Sequence, residues 1–189
     1  MIDFRRKTYS NFSWIKKFTF LIILVHFFFG CAKTLLIQKP ATGNYIENVP
    51  FYPQEAYQCG PASLAGVFNY WGIRVSPHDI AHEIYNVSAK GTLTLDMKLY
   101  AEKMGLRAVI YRGGLADIKE KIDHGYPLII LVDLGFWIFK QNHFMVVIGY
   151  DANGVIVNSG KEKEKFIYNE EFLRLWKRTN FWSLLITPK

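Results

Sequence analysis

The sequence is poor in cysteine and lacks an apolar run that could comfortably span a bilayer. Its 189 residues include only two cysteines, Cys31 and Cys59, so the chain offers at most one disulfide. The most apolar stretch, residues 18–29, contains Thr19 and His26, and it is shorter than the roughly 20 residues of a membrane-spanning helix. No repeat or low-complexity tract is present. The remaining chain is about one domain in length, and its 50% hydrophobic residues suffice for a packed core.

Excess positive charge is also scarce outside the N-terminus. The net charge is +7, but residues 1–30 hold five basic residues against Asp3 alone, which leaves 18 basic and 15 acidic residues elsewhere. The densest later run, residues 161–165, alternates in sign and predicts a solvated turn. This distribution argues against a nucleic-acid partner.

The N-terminus has the pattern of a secretory signal. Basic residues end at Lys17, the apolar residues 18–29 follow, and Gly30 precedes Cys31. The run Leu24–Cys31 resembles a bacterial lipobox, in which the cysteine becomes the lipidated first residue of the mature protein. We therefore expect lipidation at Cys31, with an uncleaved signal anchor or an ordinary apolar cysteine as the alternatives.

This pattern divides the chain into three segments and predicts where the protein is located. We expect residues 1–30 to be a lipoprotein signal peptide, residues 31–46 a polar tether, and residues 47–189 the functional domain. Ala32, rather than an aspartate, follows the cysteine, so nothing indicates retention in the inner membrane. The expected product is an exported, membrane-anchored lipoprotein, which in a Gram-negative host lies at the outer membrane or faces the periplasm.

Periodicity predicts a helical first half and an antiparallel second half of the domain. Capping and glycine signals delimit the helices. The predicted helices cover residues 61–71, 77–85, 94–104, 115–123 and 170–177. The predicted strands cover residues 107–111, 128–132, 144–148, 155–157 and 182–186. This is an α+β arrangement in which a helical lobe packs on a sheet lobe.

Cys59 is the leading candidate for a reactive group. If Cys31 carries lipid, Cys59 has no disulfide partner, and a free thiol in an exported protein usually has a chemical reason. Its position at the start of an apolar helix favours the thiolate, because the helix dipole is positive there. Gly60 permits close approach of a substrate backbone, and Pro61 suits a first helical turn. A buried, inert cysteine is the alternative reading.

His143 supplies a base for that thiol. It opens a strand after a polar pair, which lets its ring face a cleft, and a cysteine followed by a distant histidine is the papain-like order. His78 and His82 lie one helical turn apart, but no third zinc ligand is evident, so surface placement is expected. We expect neither a metal nor another cofactor.

Three sequence blocks resemble one peptidase family. The blocks are Val49–Gln54, Cys59–Ser63 and His143–Asp151, and they are similar to the signature blocks of the bacteriocin-processing peptidases, cysteine peptidase family thirty-nine, in its stand-alone C39-like branch. The resemblance spans about residues 47–187. It implies a papain-like fold, with the catalytic cysteine at the N-terminus of a helix that packs on an antiparallel sheet. A peptide or protein substrate is implied as well.

The resemblance also assigns the remaining site residues. It implies a glutamine shortly before the cysteine that helps to form the oxyanion hole, and Gln54 fits this role better than Gln58. The family's usual third residue is an aspartate after the hairpin that follows the histidine. Here that place holds Asn158 and Ser159. Asn158 is the first choice to orient the imidazole and Ser159 the alternative, and a site without a third residue is also open.

The leading function is therefore a thiol peptidase that cleaves an exported peptide or protein. Because no carboxylate occupies the third position, a peptidase-like module that binds peptides without cutting them is the first alternative. Acyl or amide transfer by the same Cys–His pair is the second, since a fold does not determine its reaction.

Overall fold

The computed structural model describes residues 43–54 and 58–189. The predicted signal peptide, the lipidation site Cys31 and most of the predicted tether lie outside the described residues.

Within the described residues the helices and strands follow the predicted order, with three additional strands. The helices are α1 (Cys59–Tyr70), α2 (Pro77–Ile84), α3 (Thr94–Lys103), α4 (Leu115–Asp123) and α5 (Asn169–Lys177). The strands are β1 (Tyr85–Asn86), β2 (Gly91–Thr92), β3 (Arg107–Arg112), β4 (Leu128–Asp133), β5 (Asn142–Tyr150), β6 (Gly154–Ser159), β7 (Glu162–Tyr168) and β8 (Trp182–Thr187). The α+β prediction is confirmed.

Strands β3 to β8 form one antiparallel sheet in the order β3-β8-β4-β5-β6-β7. Strand β5 lies inside this sheet, between β4 and β6, and Phe144 to Gly149 are buried on both of its faces. Helices α1 and α4 pack against β5, while α5 packs against β4, β6 and β7. The sheet and these helices share one hydrophobic core.

Helix α1 is buried on nearly all sides, with Gly60 to Phe68 inaccessible. Such a helix belongs in a core rather than at a surface. Gln58 precedes it and makes no side-chain capping bond, so the first N–H groups of the helix are not taken by a cap. The helix ends at Tyr70, and Gly72, two residues on, has a φ of 82°, the left-handed conformation that favours glycine after a helix.

The described chain begins on the sheet rather than in a free tether. Tyr45 forms a bridge with Gly149, and the N–H of Ile46 donates to the Ile148 carbonyl at 2.7 Å. Ile46 is buried. Residues 44–46, which we expected in the tether, thus extend the domain along β5, because their backbone groups find partners there.

We had predicted a solvated turn at the charged run of residues 161–165. The run instead lies mainly in strand β7. Alternating charge does not exclude a strand at the edge of a sheet, where one row of backbone groups has no strand partner and charged side chains discourage pairing with other chains. The ion pair between Lys165 and Glu162 lies on this edge.

No helix within residues 43–54 and 58–189 is long and apolar enough to cross a membrane.

The end of β4 is held by a buried carboxylate. Asp133 is 2% exposed, and its Oδ1 accepts the N–H groups of Gly135 and Gln141 at 2.9 Å each. Its Oδ2 lies 3.0 Å from Nη2 of Arg178. Burial raises the pKa of Asp133, but these hydrogen bonds and Arg178 outweigh burial, so the pKa is lowered. Asp133 thereby closes the base of residues 134–141, hereafter the β4–β5 loop.

We predict that Asp133→Ala lowers the free energy of unfolding by about 3–5 kcal/mol, because it leaves Arg178 and two amides without their acceptor. Urea denaturation measures this change. Glu102→Ala, which removes a partly exposed pair with Lys98, is the control and should cost about 0.5 kcal/mol or less. Because the folded pKa is depressed, the contribution of Asp133 is present at neutral pH and is lost as the pH falls below 3.8. An equal loss in both variants would contradict the role of Asp133.

Candidate active site

The Cys59 thiol lies where the first turn of α1 meets β5. Cys59 is the first residue of the helix, and the backbone N–H groups of Phe144, Gly60 and Cys59 itself lie close enough to its sulfur to lower the pKa of the thiol. Phe144 directly follows His143 in β5. The fold therefore brings the two candidate catalytic residues, far apart in the sequence, to the same place.

Burial controls the protonation of this thiol. Burial raises the pKa of Cys59, and the three N–H donors lower it without offsetting burial. The sequence led us to expect thiolate at this helix start. The resting thiol is instead protonated, because desolvation of the anion outweighs the effect of the helix N-terminus.

His143 is oriented by a serine. Its Nε2 lies 2.9 Å from Oγ of Ser159, at the end of β6. Burial, and then the positive charge of Lys165, lowers the pKa of His143 to about 4. The imidazole is consequently neutral near pH 7 and can act as a base.

Asn158, our first choice for the residue that orients His143, faces the other side of the sheet. Its partner in β5 is Val146, three residues beyond His143. Side chains alternate along a strand, so Asn158 and His143 point to opposite faces. The Asn158 Oδ1 instead accepts the N–H of Glu164 at 3.0 Å. In this structure Ser159, the alternative, makes the contact with the ring.

Gln54 is buried close to the same strand end. Its N–H donates to the carbonyl of Gly160 at 2.8 Å, and Gly160 follows Ser159. The side-chain oxygen of Gln54 is buried without a hydrogen-bond partner among the described residues. A buried polar atom without a partner is available to a ligand. Gln58 instead caps α1 through its backbone, since its carbonyl accepts the N–H of Ala62.

Thr92, which no sequence pattern indicated, lies next to Gly60, the residue after the candidate nucleophile. A Cβ atom on Gly60 would lie 2.8 Å from Cβ of Thr92, so Gly60 permits the approach of this side chain. We had assigned that space to a substrate backbone. The strand that carries Thr92 has only two residues, too few for a periodic signal in the sequence.

In the described part of the chain, no group of three or more histidine, cysteine, aspartate or glutamate residues is arranged to hold a metal ion.

A family comparison agrees with this geometry. Residues 46–183 match the model of the Peptidase_C39 like family. The chain belongs to this family. The matched range contains Gln54, Cys59, His143 and Ser159. No curated protein matches the chain.

Solved structures show the same fold. A Bacillus anthracis protein described as a C39-like peptidase aligns with a TM-score of 0.67 at 19% identity, over 78% of this chain and 98% of the other. The peptidase domain of Streptococcus ComA, a transporter involved in quorum sensing, aligns at 0.64 and 24% identity, over 75% and 100%. A double glycine motif protease from an AMS/PCAT transporter, in complex with its leader peptide, aligns at 0.62 and 27% identity, over 77% and 95%. The predicted papain-like fold is confirmed.

We predict that Ser159→Asp raises the pKa of His143 well above about 4, because a carboxylate beside the ring stabilises the imidazolium. An NMR titration of the ring protons measures the pKa, and His143→Gln identifies the resonance among the five histidines. Ser159→Ala is the control, since it removes the hydroxyl without adding charge and should leave the pKa low. Equal pKa values in the two variants would contradict the contact between residues 143 and 159.

Proposed function

We propose that this member of the Peptidase_C39 like family is a thiol peptidase that cleaves an exported peptide or protein. The observation that carries the proposal is the packing of α1, whose first residue is Cys59, against β5, the strand that carries His143. His143, half-buried and neutral at pH 7, then acts as the base for the Cys59 thiol.

The resting pair in this mechanism is a thiol and a neutral imidazole. With the Nε2–H of His143 donating to Ser159, the free lone pair is on Nδ1, which takes the proton of Cys59 as the sulfur attacks the substrate carbonyl. The imidazolium then gives this proton to the leaving amine, and a thioester remains on Cys59. Water, deprotonated by the same nitrogen, hydrolyses the thioester and returns the thiol.

The developing oxyanion needs donors that are free or weakly engaged in the resting state. We assign this role to the Cys59 N–H at the start of α1 and to the side-chain N–H₂ group of Gln54, whose carboxamide is buried at the same strand end. The N–H groups of this helix end are not capped by a side chain, so binding the oxyanion displaces no capping bond.

A peptide is the substrate class that the comparisons favour. The double glycine motif protease that shares the fold holds a leader peptide. We extend the substrate class, and not the cleavage motif, to the present chain.

Ser159 in place of a carboxylate favours one alternative, a module that binds peptides without cutting them. A serine hydroxyl orients the ring but cannot offset the charge of an imidazolium as aspartate does. Peptide binding that survives Cys59→Ala, together with no turnover by the wild type, would identify this alternative. Product formation only with an amine acceptor would instead identify acyl transfer.

We predict that a thiol-directed activity-based probe labels the wild type and not Cys59→Ala. His143→Ala should slow labelling by roughly 10²–10⁴-fold, because the thiol loses its general base. Mass spectrometry of the labelled peptide identifies the site. Labelling of Cys59→Ala at the wild-type rate would overturn the assignment of the nucleophile.

The pH dependence of Cys59 alkylation distinguishes a resting pair of thiol and neutral imidazole from a resting ion pair of thiolate and imidazolium. We expect alkylation of Cys59 by iodoacetamide to accelerate as the pH rises, because burial raises the thiol pKa. An ion pair of thiolate and imidazolium would instead give a rate that is independent of pH across the neutral range, and would contradict the neutral pair.

We also propose that the protein is exported and anchored through lipid on Cys31. Residues 5–31 support this location, because basic residues are followed by an apolar run and then by a cysteine. We predict that metabolic labelling with a fatty-acid analogue marks the wild type and Cys59→Ala alike but not Cys31→Ala. Labelling that persists in Cys31→Ala would exclude this anchor.

A further inference from the structure

The β4–β5 loop exposes a run of large apolar side chains. Phe136, Trp137, Ile138 and Phe139 are 84%, 82%, 70% and 72% exposed. Single exposed apolar residues are ordinary, but consecutive ones form a patch that is costly to keep in water. None of the three aromatic rings packs on another ring of the described chain.

The loop that carries this run has a fixed base. Besides the two bonds to Asp133, the N–H of Leu134 donates to the Gln141 carbonyl at 2.8 Å, and the N–H of Phe139 donates to the Phe136 carbonyl at 3.0 Å. Gly135 lies so close to Phe139 that a Cβ atom would be 1.9 Å from its carbonyl oxygen. The apolar side chains are thus presented by a closed turn.

Two basic residues, Lys140 and Arg178, lie at the base of the loop, and the charge of Arg178 is offset by Asp133. Lys140 follows the apolar run, and the guanidinium of Arg178 donates to the Gly135 carbonyl. Arg178 follows Lys177, the last residue of α5. Residues 134–142 contain no acidic side chain, and the buried Asp133 is paired with Arg178. The patch is therefore apolar at its tip and cationic at its base.

We propose that the β4–β5 loop inserts into the surface of a lipid bilayer that contains anionic headgroups. Tryptophan and phenylalanine are favoured at the boundary between headgroups and acyl chains, and lysine and arginine beside them attract anionic lipid. The apolar segment at residues 18–29 predicts that the protein is located at a membrane. This location favours a bilayer over a protein as the binding partner of the loop.

Docking of this loop would also orient the candidate active site. Strand β5 begins directly after the loop, and His143 is its second residue. The Cys59 thiol lies beside the next residue, Phe144. Insertion of residues 136–139 thus holds the site next to the bilayer surface, where peptides that emerge from or lie on a membrane are concentrated.

The fluorescence of Trp137 tests the proposal in the full chain reconstituted into phosphatidylcholine–phosphatidylglycerol vesicles. The chain has five tryptophans, so the emission of Trp137 is obtained by subtracting the fluorescence of Trp137→Phe from that of the wild type. We expect lipids with brominated acyl chains to quench this difference signal and aqueous acrylamide not to quench it. Lys140→Glu combined with Lys177→Glu should weaken the bromolipid quenching, because the attraction to phosphatidylglycerol is reduced.

The matched control places an indole at an equally exposed position elsewhere. Val87, between β1 and β2, is 79% exposed, and Val87→Trp in the Trp137→Phe background should be quenched by acrylamide and not by bromolipid. Equal bromolipid quenching at the two positions, or none at Trp137, would overturn the proposal. Shielding of Trp137 by a substrate peptide without vesicles would overturn it in favour of peptide binding. Circular dichroism confirms that each variant is folded, and because neither it nor the quenching depends on Cys59, the test is independent of the proposed peptidase activity.

Discussion

The candidate site depends on the pairing of β5 with its neighbours in the sheet. Because successive side chains of a strand point to opposite faces, a slip of one residue between β5 and β6 would turn His143 away from Ser159. The buried residues on both faces of β5 prevent such a slip, since each would have to leave a matched position in the core. Helix α1 packs on the same strand and brings Cys59 to it. Core packing thereby sets the geometry of the reacting groups.

Electrostatics and burial at the site favour the same protonation state. Burial disfavours both thiolate and imidazolium, and Lys165 further disfavours the imidazolium. A buried carboxylate next to a neutral imidazole would itself lack a compensating charge, whereas a serine hydroxyl accepts the ring N–H without carrying a charge. Ser159 is therefore compatible with a buried neutral pair, and the absence of the usual aspartate is less disruptive than the sequence alone indicated.

The two ends of β5 have different surroundings. Asn44 and Ile46 hold the start of the described chain against the Tyr150 end, where the Tyr150 N–H donates to the Asn44 carbonyl. The exposed aromatic loop and the candidate site share the other end. One strand thus relates the nucleophile, its base and the surface that we propose to meet the bilayer.

Much of the fold was predictable from local signals. The helices have apolar periodicity with glycine or capping boundaries, as in the box formed by Ser76 and Asp79, and the central strands are short β-branched runs. Strand β7 was missed because its charged residues have no apolar alternation to reveal it. The two-residue strand that carries Thr92 was missed because it is too short to show a period.

Local propensity and residue chemistry were enough to predict the helices, the strands other than β1, β2 and β7, and the candidate pair Cys59 and His143. The contact of Ser159 rather than Asn158 with the ring depends on strand register, because adjacent residues of a strand occupy opposite faces and register sets which face each one takes. The protonation of the thiol was likewise a tertiary property. Helix position favours thiolate, but burial under the rest of the fold outweighs it.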